Sequence, residues 1–109
     1  MGQVVTFDLP APPSVNHYWR HWRGRVSISD KGRLYRQAVV AALKPLGITF
    51  PGEVGVSILY GGKCDLDNIL KCLLDALQHA GIYKDDKQIA DLRVSRARGD
   101  GVSVEVRGI

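Results

Sequence analysis

A chain of 109 residues suits one compact domain, and its 45% hydrophobic and 24% charged residues are the make-up of a soluble globular protein rather than a fibrous or disordered one. No apolar run approaches the roughly 20 residues that a membrane helix needs, and the start, MGQVVTFDLP, lacks the pattern of a signal peptide, so a cytoplasmic protein is expected. Net charge is +4, unevenly placed: residues 1–45 carry seven Lys/Arg against two acids, residues 46–109 eight against nine. A basic first half is the electrostatic footprint of a polyanion binder.

In chain order, residues 3–9, QVVTFDL, are rich in β-formers and predict a first strand. Pro10, Pro12 and Pro13 end it and stiffen an extended loop. Residues 14–28 read as a loop or hairpin rich in Arg, His and aromatics, among them Tyr18, Trp19 and Trp22, with Gly24 at the turn and a short strand at Val26–Ile28. Ser29 or Asp30 can cap the next helix. Its apolar face is expected at Leu34, Ala38, Ala41 and Ala42, widened by Val39, Val40 and Leu43, with Pro45 and Gly47 as its stop.

Residues 53–60 alternate Val54, Val56, Ile58 and Tyr60, the period of a strand, which Gly61-Gly62 breaks. A second helix is expected over about 66–80, with Gly81 as its C-cap. Residues 88–97 predict a strand, Gly99-Asp100-Gly101 a hairpin turn, and 102–107 its partner. The result is an α/β or α+β fold, a mixed sheet with two main helices packed on it. Cys64 and Cys72 are spaced for neither zinc nor a disulfide framework and are expected as reduced thiols. His17 and His21 lack companions that would complete a metal set.

The segment CDLDNILKCLLDALQHAGIYKDD, residues 64–86, holds most of the chemistry. Leu66, Ile69, Leu70, Leu73, Leu77 and Ala80 form an apolar stripe that must face a core. Asp67, Lys71 and Asp75 follow four residues apart and share another face, with Asp65 just before it. Asp85 and Asp86 come after the helix, roughly 22 Å of helix away, unless the next strand runs back along it. Oxygen-only donors of this kind suit Mg²⁺, which polarises phosphate and activates water, and a lysine nearby stabilises the same negative charge. Each piece also has an ordinary reading: an exposed ion pair for Asp67 and Lys71, a helix cap for Asp65, a turn for Asp85 and Asp86, a salt bridge for Asp75, a structural role for Asp91. An EF-hand reading fails, because residues 65–76 lack the glycine and the final acid of that loop.

The string Asp65-Leu66-Asp67-Asn68, then Lys71, Asp75, Ala76, Leu77, Gly81 and Asp85-Asp86-x-Gln88, resembles the signature of the RusA family of Holliday junction resolvases. Leu9-Pro10, Pro12-Pro13-Ser14, Asn16, Tyr18, Arg20, Ser29, Gly32, Tyr35 and Arg36 extend the likeness across nearly the whole chain, to about Val94. The resemblance implies one endodeoxyribonuclease domain over residues 1–109, acting as a homodimer with Mg²⁺. It implies Asp65, Asp67 and Asp86 as metal ligands, Lys71 as the catalytic lysine, and paired nicks across a four-way DNA junction that leave 5′-phosphate and 3′-hydroxyl ends. A two-fold dimer carries the two equivalent sites that symmetric cuts require. One departure stands out: the family carries an arginine run before the first aspartate, whereas this chain has Gly61-Gly62-Lys63-Cys64. DNA contacts are then expected from Asn16, Arg20, Arg23, Arg25, Arg36, Lys63 and Asn68. A non-catalytic module that binds branched DNA, and a metal nuclease for flaps or RNA, are the competing readings.

Overall fold

The computed structural model describes residues 3–109. Strand β1 (Val4–Leu9) is followed by a single helical turn, α1 (Val15–Tyr18), then β2 (Trp19–Trp22), β3 (Arg25–Ile28) and helix α2 (Asp30–Leu43). Strand β4 (Val54–Gly61), helix α3 (Leu66–His79), β5 (Ile89–Arg96) and β6 (Gly101–Gly108) complete the chain, with 3-10 turns at Lys44–Leu46 and Asp86–Gln88. The sheet runs β1-β6-β4-β5; β4 and β5 are parallel, and the other pairs antiparallel. β2 and β3 form a separate two-stranded ribbon. The expected α+β class and mixed sheet are both present.

Period two sorts the strands. Val54, Val56, Ile58 and Tyr60 of β4 and Val102, Val104 and Val106 of β6 are buried, while Leu59 and Ser103 between them are exposed. α3 closes over these side chains with Ile69, Cys72, Leu73, Ala76 and Leu77. Each fully buried aliphatic side chain contributes about 1.5–3 kcal/mol, so α3 is fixed firmly in rotation about its axis. Leu66 and Leu70, expected in that stripe, are only partly covered.

Two expectations are corrected. α2 buries Gly32, Tyr35, Val39 and Leu43, whereas Leu34 is 66% exposed and Ala38, Ala41 and Ala42 face outward. Its inner face is set by Tyr35, whose hydroxyl donates to the Pro10 carbonyl, and not by the run of small residues. Ser29 is the N-cap, its hydroxyl accepting from the Gly32 N–H. The second correction concerns the end of the chain: β5 and β6 are not hairpin partners, because β4 lies between them. The 97–100 connection crosses over the end of β4, anchored by the Ala97 N–H donating to the Tyr60 carbonyl. Gly61 sits under this crossing, where a Cβ would fall 2.4 Å from the Gly99 oxygen. A parallel β4–α3–β5 unit thus stands in one half of the sheet, and β6 fills the centre because its valines on one face and its ladder bonds on both edges are then satisfied.

Candidate active site

The Gly61–Cys64 segment carries the chain from the end of β4 to the start of α3, so the topology puts Lys63, Asp65 and Asp67 at one end of the sheet. Asp65 takes the N-cap position with extended backbone, yet its side chain makes no capping bond; its carbonyl accepts from the Asn68 N–H instead. Asp67 lies in the first turn and Lys71 one turn later, both exposed. The pair forms no ion pair, and among the described residues none of Asp65, Asp67 and Lys71 has a salt-bridge partner. The carboxylates are therefore free at a helix N-terminus, where the donor set is hard oxygen of the kind Mg²⁺ prefers. Asn68 is half-buried beside them, and Lys63 is exposed just before.

Arg96, at the end of β5, is the residue that reading the sequence missed. Its guanidinium donates to the carbonyls of Gly62 (2.7 Å) and Cys64 (2.9 Å) and lies 5.7 Å from the centre of the Tyr60 ring. The Tyr60 hydroxyl in turn accepts from the Cys64 N–H at 3.2 Å. Together they pin the loop that carries Asp65, and they bring a fixed cation to a loop with only one basic residue of its own. No local sequence signal marks Arg96, because its partners lie more than 30 residues away.

Asp86 is elsewhere. Its backbone N–H donates to the Gln78 side chain, and its neighbours are Leu74, Ile89, Ala90, Asp91 and Leu92. Leu74 and Gln78 lie seven and eleven residues beyond Asp67, which is about 10–16 Å along the helix axis. No group of three metal-ligating side chains forms among the described residues. Within one chain Asp86 therefore lies apart from Asp65 and Asp67: β5 runs parallel to β4, so the turn before it sits at the C-terminal end of α3. That turn does sort the Asp85-Asp86-x-Gln88 motif. Asp85 caps the 3-10 turn by accepting from Lys87 N–H at 2.9 Å, which holds its carboxyl below the usual range. The Gln88 side chain accepts from Lys84 and Asp85 N–H and donates to the carbonyls of Phe50 and Gly52. Asp85 and Gln88 build the turn, and among the described residues Asp86 has no ion-pair partner.

The remaining expected residues divide. Asn16, Arg20, Arg23 and Arg25 are exposed on α1 and the β2–β3 ribbon. Arg36 is not available in the same way: it bonds Asp75 at 2.8 Å, with both side chains about one-fifth exposed (23% and 22%). Burial is the largest single influence and works against its charge, but the bonds and charge interactions with Asp75 and Tyr18 together outweigh it and raise its pKa. Asp75 also accepts from the Tyr18 hydroxyl, which lies in a fully buried residue, and faces His79 at 3.8 Å. Asp75 is thus a salt-bridge partner, as expected, and ties α1 and α2 to α3. Asp91 is likewise structural, paired with Arg107 and Arg93. Both cysteines are free; Cys72 is fully buried, and desolvation pushes its pKa up to about 12.

The family model described as endodeoxyribonuclease RusA matches residues 9–107. A crossover junction endodeoxyribonuclease of Enterobacteria phage HK97 is 44% identical over 97 residues, covering 83% of this chain and 80% of its own. Crossover junction endodeoxyribonucleases of Shigella sonnei and of an Escherichia coli O139:H28 strain are 40% and 39% identical, each over 84% of this chain and 81% of theirs.

Proposed function

The chain belongs to the RusA endodeoxyribonuclease family, an enzyme class that hydrolyses phosphodiester bonds, and from that premise we propose that it resolves Holliday junctions as a Mg²⁺-dependent homodimer. The observation that carries the proposal is the layout of α3, with two unpaired carboxylates and Lys71 toward one end and Asp86 beside the other. A two-fold axis across α3 sets the helix against its partner in reverse, so that Asp65 and Asp67 of one protomer meet Asp86 of the other. The flank is suited to this. Leu70 and Leu74 are only half-buried, Leu92, which shares a cavity wall with Leu74, is exposed, and β5 is an edge strand bonded to β4. Both sites are then shared between protomers and related by the symmetry that paired nicks demand.

When bound, the cation supplies charge neutralisation at the scissile phosphate and water that is nucleophilic at neutral pH. The chain does the rest. Asp65, Asp67 and Asp86 would hold the ion, Arg96 fixes the loop that places Asp65, and Lys71 would offset negative charge growing on the phosphate oxygens or orient the attacking water. Water adds to phosphorus, the bond to the 3′-oxygen breaks, and that oxygen takes up a proton, leaving 3′-hydroxyl and 5′-phosphate ends. Exposed Asn16, Arg20, Arg23, Arg25 and Lys63 supply phosphate contacts, and Asn68 follows Asp67 in the first turn of α3. The whole chain acts as one nuclease domain in the cytoplasm; among the described residues no helix is long and apolar enough to cross a membrane.

Subunit mixing tests it. Asp67→Asn and Asp86→Asn homodimers should each bind a four-way junction without cutting it. Mixed and allowed to exchange, they should recover about a quarter of wild-type sites, because half the dimers are mixed and each carries one intact shared site. No recovery on mixing rules out sites shared between protomers. Binding without nicks by the wild type, with Mg²⁺ present, supports the non-catalytic module instead. Equal cleavage of linear duplex and single strand rules out junction selectivity.

A further inference from the structure

We propose that the β2–β3 ribbon is a probe for unstacked bases at a DNA branch point, and that Trp22 at its tip is the stacking group. The inference deepens the nuclease reading and rests on it for the identity of the substrate. It starts from the register of the ribbon: Trp19 pairs with Ile28, Arg20 with Ser27, His21 with Val26 and Trp22 with Arg25. With period two, Trp19 and Ile28 lie on one face and are held against the core. The other face presents Arg20, Trp22, Arg25 and Ser27, all exposed. The turn is Arg23-Gly24, both at positive φ (48° and 74°), the conformation of a tight two-residue hairpin.

Trp22 is 68% exposed, whereas tryptophan is on average among the more buried residues. It is also oriented in advance. The Arg23 guanidinium sits 5.6 Å from its ring centre, and Arg25 is directly across the ribbon. No acidic residue occurs between Asp8 and Asp30, so the three arginines have no counter-charge within their own segment. A basic two-stranded ribbon fits a DNA groove, and a lone aromatic among phosphate-seeking cations is the arrangement that stacks on a splayed base or wedges a step. An intact duplex offers no open base face, whereas the centre of a four-way junction does.

The root of the ribbon is rigid. The Ser29 N–H donates to the Tyr18 carbonyl at 2.9 Å, the Ser29 hydroxyl donates to the carbonyls of His17 and Tyr18, and the Tyr18 hydroxyl reaches Asp75 on α3. The ribbon and the helix bearing Asp67 and Lys71 are therefore one unit. A base held by Trp22 sets the position of the junction relative to those residues.

The test reads binding, so it does not depend on cleavage. Among the described residues the buried Trp19 Nε1 has no partner, so a Trp19→Phe protein gives up no hydrogen bond seen there and leaves Trp22 as the only tryptophan. In EDTA, its fluorescence should be quenched by a four-way junction and by a single strand, and little by a linear duplex of equal length. Trp22→Ala should weaken junction binding by roughly tenfold or more while leaving duplex binding and the salt slope unchanged, and Trp22→Phe should restore most of the loss. Three results would overturn the proposal: unchanged junction affinity in Trp22→Ala, an equal loss on duplex and junction, or a weakened homodimer as the sole defect, which would make Trp22 an interface residue. Quenching by the junction in a protein that cuts nothing would leave this inference standing and sink only the nuclease reading.

Discussion

Replacing Asp75 with alanine removes the one carboxylate on which α1, α2 and α3 converge. The Tyr18 hydroxyl then has no acceptor in a residue with no exposed surface, and Arg36 loses its counter-charge while its Nε is already buried without a partner. A buried donor left unsatisfied costs about 1–3 kcal/mol. Arg36 keeps access to water, so the lost ion pair is screened and adds about 1 kcal/mol. The expected loss is about 2–4 kcal/mol, out of about 5–15 kcal/mol for a domain. At about 4–8 °C per kcal/mol in a chain of this length, the melting midpoint should fall by at least about 8 °C. Tyr18→Phe removes donor and need together, leaves the Arg36 bond intact, and should cost only about 0.5–1.5 kcal/mol. Urea titration at one fixed protomer concentration measures both, and a double-mutant cycle should give a coupling of about 1–2 kcal/mol. The midpoint should move while the slope stays constant. An Asp75→Ala protein within about 0.5 kcal/mol of wild type would refute the reasoning, since that is the range of an ordinary surface change.

Arg96→Ala should free the Gly62 and Cys64 carbonyls and loosen the loop before Asp65. The Mg²⁺ concentration for half-maximal junction cleavage should rise severalfold with little change in junction affinity; an unchanged Mg²⁺ requirement would remove Arg96 from the site. Alkali should destabilise the fold, because burial raises the pKa of Tyr18, Tyr35, Tyr83 and Cys72. Their protons stay on in both states below about pH 8, but above about pH 9–10 the unfolded chain releases protons that the native state retains, at up to about 1.4 kcal/mol per group per pH unit. Urea midpoints should be flat from about pH 7 to 8 and fall steeply above about pH 10; a flat profile to about pH 11 would contradict it. Iodoacetamide should label half-buried Cys64 and spare Cys72 in the native protein, and double labelling would show that the core opens.

Much of the fold can be read along the chain because the period of a strand or helix is a local property. The alternation Val54-Val56-Ile58-Tyr60 requires a half-buried strand, and Leu73 and Leu77 require that one face of α3 be buried. The Ser29 cap and the Arg23-Gly24 turn need only near neighbours. α2 was harder, since Leu34, Ala38 and Ala41 satisfy the same period as Tyr35, Val39 and Leu43, and tertiary packing decides between them, with Gly32 against Tyr18 and the Tyr35 hydroxyl bonded to the Pro10 carbonyl.

The sequence by itself determined the chemistry on offer: a family signature, three carboxylates, one lysine and a basic first half. Where those groups meet depended on strand order, which no local pattern encodes. Gly99-Asp100-Gly101 is equally good as a tight hairpin and as the crossing over Gly61, and only the competition for the centre of the sheet puts β6 beside β4. The same parallel pairing of β4 and β5 puts Asp86 at the far end of α3 and brings Arg96 back to the Asp65 loop, because in a parallel pair both strands end at the same edge of the sheet.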